Sequence, residues 1–404
     1  MSWPLKPLSE LCLLAVDCVN KTAPVVDYPT PYKMIRTTNV KRGFIDVDTV
    51  RYVTEETFQS WTRRSQPRFG DVVLTREAPV GEVGRCTFDD NQNIFLGQRL
   101  FQYRPDPQLL DWNYLAYVLQ SPLVQNKLHG VSFGATVPHI KVGDAENLEI
   151  PCPSLDVQKS IGSLLAAYDD LIEANIRRIE LLEESARLLY REWFVNLRFP
   201  GFEQVSLTNG LPDGWQTREV CSLVSFLNRG ITPKYDESAK GLVINQKCIR
   251  GGRLSLKPAR RQSKEVKTER LIQLGDILIN STGAGTLGRV AQVRSQIEDC
   301  TVDTHVTIAR PSNSESISFL GVALLELEPT LSSMGVGSTN QLELGRTDIG
   351  AIKLLVPPAI LQQEFHSRVW PLFEQVDALA QTNELLAHAR NEFLPKLMSG
   401  AIQV

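Results

Sequence analysis

Gly283, Gly285 and Gly288 stand in the spacing Gly-x-Gly-x-x-Gly after an apparent strand, the pattern with which a turn cradles the pyrophosphate of a dinucleotide at a helix N-terminus. That chemistry needs a helix next, yet the residues after the turn, Arg289 to Val293, read as a second β-like run. The aligned stretch Glu77 to Gly84 keeps only the later glycines, so a glycine turn between strands explains both. Glu265 and Lys267 resemble half of a nuclease motif, but no acidic partner precedes them at a suitable spacing. The histidines 129, 139, 305, 366 and 388 are dispersed, and no phosphate loop of the G-x-x-x-x-G-K-[ST] form, H-E-x-x-H, G-x-S-x-G or Asn-Pro-Pro-aromatic sequence occurs. Cysteines at 12, 18, 86, 152, 221, 248 and 300 are odd in number and never form C-x-x-C, which predicts reduced thiols and neither a disulfide frame nor a zinc site. No catalytic residue and no metal ligand is therefore assigned.

Local charge says more. Lys247 to Arg270 holds nine basic residues against two acidic, a net of +7, and Lys33 to Arg68 holds eight against four, a net of +4. In a chain with net charge −3, two such runs at corresponding places point to phosphate neutralisation, with Arg, Asn and Gln able to read base edges. The candidate DNA-binding residues are Arg36, Asn39, Lys41, Arg42, Arg63 and Arg64 in the first run. Those of the second are Asn245, Gln246, Lys247, Arg250, Arg253, Arg260 and Arg261. The Gly-rich turns at 81–85 and 283–289 either let the backbone approach DNA or serve turn geometry alone.

The runs correspond because the chain is written twice. Phe69-Gly70-Asp71-Val72-Val73-Leu74 is echoed by Leu274-Gly275-Asp276-Ile277-Leu278-Ile279, and Gly81, Gly84 and Arg85 by Gly285, Gly288 and Arg289. Ile35 to Gly43 matches Ile244 to Gly252, Pro153 and Gln158 match Pro357 and Gln362, and Ala186-Arg187 matches Ala389-Arg390. Each half begins with short β-branched runs broken by Gly, Pro and Asn, which predicts a β-rich α+β globule. Each ends in a helix. Apolar residues recur from Ile161 to Trp193 at alternating steps of four and three, interrupted only by Asn175. The same rhythm runs from Phe365 to Leu397, with Asn383 and Arg390 as polar interruptions. That is a heptad seam. Each helix could simply lie on its own globule, but two such helices favour pairing. An antiparallel pair aligned end to end sets 161 against 397 and 193 against 365, and it places Asn175 opposite Asn383 in one polar layer. The seam would span about 32 residues, or 48 Å at the helical rise, and Pro395 should kink or end the second helix.

The expected domains are 1–152 (first β-rich globule), 153–200 (central coiled-coil helix), 205–355 (second β-rich globule) and 356–404 (C-terminal coiled-coil helix). The chain has 404 residues, 42% hydrophobic and 22% charged, which excludes disordered and collagen-like classes. Its Leu11–Val16 apolar stretch is far shorter than the roughly 20 residues of a membrane helix. A cytoplasmic location with no membrane partner is expected.

Taken in order, these residues resemble the specificity subunits of type I restriction-modification systems over essentially the whole chain. The resemblance rests on Leu211-Pro212-Asp213-Gly214-Trp215, the two Gly-Asp segments, and the proline-Gln approaches to the helices at 150–158 and 355–363. The endings Ala186 to Leu189 and Phe393 to Gly400 fit as well; the first half departs in opening with Trp3-Pro4-Leu5 only. The resemblance implies two target-recognition domains, each reading one half of a bipartite site in double-stranded DNA, and helices that set the gap and carry two modification subunits. It implies that S-adenosylmethionine, ATP and Mg belong to the modification and restriction (motor) subunits, with no cofactor on this chain, which is not an enzyme by itself. The alternative is a coiled-coil adaptor that does not bind DNA.

Overall fold

The computed structural model describes residues 3–130, 132, 138–208, 210–337 and 342–402. Two compact units divide the chain: residues 1–174 with 382–404, and residues 175–381. The architecture is the expected α+β one, two β-rich regions joined by long helices.

In the first unit a four-stranded antiparallel sheet has the order Cys12–Asp17, Leu100–Pro105, Val72–Arg76, Val80–Arg85. A smaller sheet sets Tyr32–Ile35 between antiparallel Arg51–Tyr52 and parallel Asn93–Leu96. The second unit repeats both. Its four strands run Val224–Arg229, Val306–Pro311, Ile277–Asn280, Val290–Gln292, and its small sheet sets Leu242–Ile244 between antiparallel Arg260–Arg261 and parallel Cys300–Val302. A further pairing, Leu5–Pro7 with Glu149–Pro151, has its counterpart in Gln216–Glu219 with Lys353–Val356. The short opening at Trp3 thus builds the same strand pair as the fuller Leu-Pro-Asp-Gly-Trp sequence.

The repeated Gly-Asp segment is a structural device. Gly70 and Gly275 adopt φ of 84° and 89°, a left-handed turn that glycine makes without steric cost. The turn drops each aspartate into the sheet interior. Asp71 accepts from Arg104 at 2.8 Å and from the Arg68 amide, and Asp276 accepts from Arg310 at 2.8 Å and from the Gln273 amide. Each carboxylate thereby ties the first strand of the repeat motif to the strand beside it. The proline-Gln sequences are equally structural: Gln158 and Gln362 each reach back to the carbonyl of Pro153 or Pro357, at 2.9 and 2.8 Å, at the helix start where backbone groups need partners.

The long helices, Leu155–Tyr190 and Ala359–Met398, contribute to both units and pack against each other within each. In the first unit Tyr168 meets Phe393 with ring centroids 6.3 Å apart, Arg390 pairs with Asp169, and the Asn383 amide donates to the Ile172 carbonyl at 3.3 Å. Rising numbers on one helix against falling numbers on the other make the pairing antiparallel. In the second unit Phe365 lies against Tyr190, Trp193 and Phe194 at 6.2, 6.0 and 4.9 Å. No seam residue of either helix is exposed. Arg390, which breaks the apolar seam in sequence, is explained by Asp169 on the facing helix.

Pro395 does not end the second helix, which continues to Met398 and also contains Pro371. A proline inside a helix costs roughly 3 kcal/mol through its lost hydrogen bond and its clash with the preceding turn. Full burial of Val369, Phe373 and Val376 around Pro371, and of Leu397 and Met398 after Pro395, offsets that cost. The first helix ends in a wider π-type turn, Arg191–Val195, which turns Trp193 and Phe194 into the second unit's core.

Candidate nucleic-acid interface

The predicted basic residues do not form one surface. In the first unit Arg36, Lys41, Arg42 and Arg63 reach solvent fully or in part. Arg36 lines a cleft of about 190 Å³ with Thr37, Thr38, Gln98 and Arg99. Lys41 and Arg42 form a hairpin tip whose backbone is held by Glu82 and Val83. Asn39 does not fit the role of base reader. It is 2% exposed, its oxygen accepts from the Arg36 amide at 3.0 Å, and its nitrogen donates to Thr49. Arg64 is committed to Asp17 and to the Cys18 carbonyl.

The second unit divides the same way. Lys247, Arg250, Arg260 and Arg261 are exposed. Arg260 stacks on the Tyr235 ring at 3.5 Å and Arg261 donates to the Ala239 carbonyl at 2.8 Å. An exposed guanidinium held flat on an aromatic ring is pre-organised to meet a phosphate. Asn245 forms its own turn, accepting from the Lys247 amide and donating to the Pro258 carbonyl. Arg253, partly exposed, bonds Glu183 of the first long helix through two hydrogen bonds of 2.7 and 2.6 Å. Gln246 lies across a neighbouring turn, donating to the carbonyl and hydroxyl of Thr282 at 2.6 and 2.5 Å. Gly283, at φ 104°, makes room for it, since a Cβ there would stand 2.8 Å from the Gln246 nitrogen.

Sequence reasoning missed two positions at which loops converge on one edge in each unit. The Arg76 amide donates to the Arg99 carbonyl at 2.9 Å and the Ser281 amide to the His305 carbonyl at 2.8 Å. Glu77 bridges His139, and Thr282 bridges Glu343. Arg99 therefore corresponds to His305, and Glu77 to Thr282. The Gly-Asp repeat, extended six residues beyond Asp71 and Asp276, already aligns Glu77 with Thr282.

The Gly-rich segments differ between the units. Residues 81–85 belong to the strand Val80–Arg85, whereas 283–289 form an open turn. Arg85 is buried at 3% exposure and faces Asp169 of the first helix at 3.8 Å. Burial pushes the thiols of Cys18, Cys86, Cys152 and Cys248 up, and those of Cys12 and Cys300 to about 12, so at neutral pH they are protonated and poor nucleophiles. Among the described residues no three His, Cys, Asp or Glu side chains converge as metal ligands would, and no helix is long and apolar enough to cross a membrane.

Residues 29–184 match the family model for the type I restriction modification DNA specificity domain. The chain is 26% identical over 367 residues to the type I restriction enzyme MjaIX specificity subunit of Methanocaldococcus jannaschii, covering 88% of this chain and 82% of that one. It is 22% identical over 419 residues to the EcoKI specificity subunit of Escherichia coli K12, covering 96% and 86%. The crystal structure of a type I restriction-modification S subunit from M. genitalium superposes with a TM-score of 0.62 at 18% identity, over 98% of this chain and 96% of the other. That S subunit therefore shares the fold described above. Residues 29–184 thus match the type I restriction modification DNA specificity domain, and over most of its length the chain is similar to type I restriction enzyme specificity subunits.

Proposed function

We propose that each β-rich domain, residues 1–152 and 205–355, reads one half of a bipartite site in duplex DNA. The helical segments 153–200 and 356–404 set the gap and dock two modification subunits. Restriction subunits complete the assembly, and S-adenosylmethionine, ATP and Mg act on those partners. The observation that carries the reading is the repeat itself: one scaffold built twice, with exposed basic residues on each copy and a loop edge at the same place. Lys41, Arg42 and Arg63 in one domain, and Lys247, Arg250 and Arg260 in the other, supply phosphate contacts that fix orientation. The heptad spacing supports an Asn175–Asn383 layer, a polar step that would fix the register of an otherwise apolar seam.

The test is sequencing of methylated adenines in cells carrying this chain with its modification subunits, against cells lacking the chain. A new bipartite motif with a fixed gap is expected; no new motif from an assembled complex defeats the reading and favours the adaptor. Insertion of one matched heptad into both helices should lengthen the gap and keep both half-sites. An unchanged gap would count against the spacer role.

A further inference from the structure

The scaffold of the two units repeats residue for residue where it holds the fold. Asp71 and Asp276, Arg104 and Arg310, and Gln158 and Gln362 keep both their types and their bonds. At one exposed edge the backbone repeats but the side chains do not. Arg99 and His305 occupy the same place, and each is held by the residue that corresponds across the units. The Arg99 Nε lies 3.3 Å from a Glu77 carboxylate oxygen, and His305 Nδ1 lies 2.7 Å from the Thr282 hydroxyl. A constant frame with a changed tip is what two readers of unlike half-sites require.

We propose that Arg99, positioned by Glu77, and His305, positioned by Thr282 and Gln246, each donate hydrogen bonds to a base edge and set the base preferred at one position of their own half-site. The proposal rests on the DNA-reading function above and names the reading atoms.

The hydrogen-bond directions define what each can recognise. The Gln246 nitrogen donates to the Thr282 carbonyl, an acceptor only, and the same nitrogen donates to the Thr282 hydroxyl. The hydroxyl therefore accepts there and keeps its proton free to donate to His305 Nδ1, a bond in which either partner can be the donor. In the tautomer that accepts this proton, the neutral imidazole presents its own N–H at Nε2, on an exposed side chain. One fixed donor suits a single major-groove acceptor such as purine N7, guanine O6 or thymine O4. Arg99 is different. Glu77 holds it through Nε, and the two terminal nitrogens remain to form the paired donors that match guanine O6 and N7. Its side chain is 40% exposed and lines the cleft with Arg36, Thr38 and Gln98. The first domain should therefore demand guanine at one position, and the second should accept a wider choice at the corresponding one.

The test is selection from a randomised duplex pool by the full chain assembled with its modification subunits. Wild type is compared with His305→Gln, with Arg99→Ala, and with the graft Thr282→Glu plus His305→Arg. The graft should move the second half-site toward guanine at one position and leave the first half-site and the gap unchanged. Each single substitution should lower discrimination at one base pair of its own half-site by about tenfold to a hundredfold. The untouched half-site reports in the same selection that the variant is folded and assembled. If all three variants enrich the wild-type motif, the proposal is overturned and the DNA-reading function stands. An even fall in discrimination across every position of a half-site also overturns it, since that marks a structural or phosphate role. A wild-type complex that enriches no bipartite motif overturns both.

Discussion

The two units share one β scaffold and differ in how that scaffold is fastened to the helices. In the first, a single buried carboxylate is the fastening point. Asp169 is 1% exposed; it accepts from the Tyr117 hydroxyl at 2.6 Å, pairs with Arg390 of the second helix, and faces Arg85 of the sheet at 3.8 Å. Rings of Phe44, Trp112 and Tyr117 surround Arg85 at 5.5, 6.0 and 5.5 Å. In the second unit the load is divided. Arg253 grips Glu183 near the surface, and Arg294 reaches Asp377 while its guanidinium lies 3.8 Å over Phe373. Duplication preserved the sheet and its turns, whereas each helix contact was solved separately with the charges to hand. One solution concentrates its cost at a single atom group, and the other spreads it.

The largest effect should come from removing the concentrated point. Asp169→Ala leaves Arg390 without its buried carboxylate and Arg85 with only the exposed Asp170 at 3.8 Å, and stranded buried charges of this kind cost about 3–5 kcal/mol. Denaturant unfolding followed by hydrogen exchange over residues 72–120 should show the loss in the first unit alone. Arg253→Ala is the matched cut in the second unit. Its side chain is 40% exposed, so water screens the pair, and the loss should be only about 0.2–1 kcal/mol. Equal losses for the two substitutions would break the comparison.

The sequence carried the duplication, the helices and their antiparallel sense because these follow from periodic apolar burial and repeated turn chemistry. Gly70 and Gly275, Gln158 and Gln362, and the seam from Ile161 to Trp193 all announce themselves by type and spacing. It did not show which basic residues are ion-paired. Arg64 and Arg253 look like Arg63 and Arg250 in a charge count, yet Asp17 and Glu183, distant in sequence, pair with them. Asn39 and Asn245 also form turns, which the charge count does not register, since a short amide after an extended residue bonds its own backbone. The edge pair at Arg99 and His305 lay outside both basic runs. Its position is set by strand pairing between segments distant in sequence, which no local pattern records. Pro395 misled for a related reason: local propensity argued for a helix end, and tertiary burial on both sides of the proline overrode it.

A smaller contrast lies where the helices dock on the domains. Gly162 of the first helix sits against Asn113 and Tyr114, where a Cβ would meet the Tyr114 amide at 2.8 Å. The corresponding residue of the second helix is His366, whose Nδ1 bonds the Ser318 hydroxyl at 2.8 Å while its ring packs on Trp370. Burial holds the His366 imidazole below its ordinary value, and the carboxylates of Glu315 and Glu374 oppose that shift more weakly. A folded state that prefers neutral histidine takes up its proton less readily than the unfolded chain does. His366 therefore contributes stability that is present above about pH 6.5, the ordinary histidine value, and that is lost as the pH falls through the lowered folded value. Gly162 gives the first unit no such dependence. Hydrogen exchange at stepped pH should show residues 316–326 and 359–373 losing protection on acidification, relative to residues 112–120 and 155–170. His366→Gln retains a side-chain partner for Ser318 and removes the titrating group, so the two docking sites should then respond to pH alike. A gap between them that persists in the glutamine variant would assign the pH sensitivity to another group and leave His366 a packing residue only.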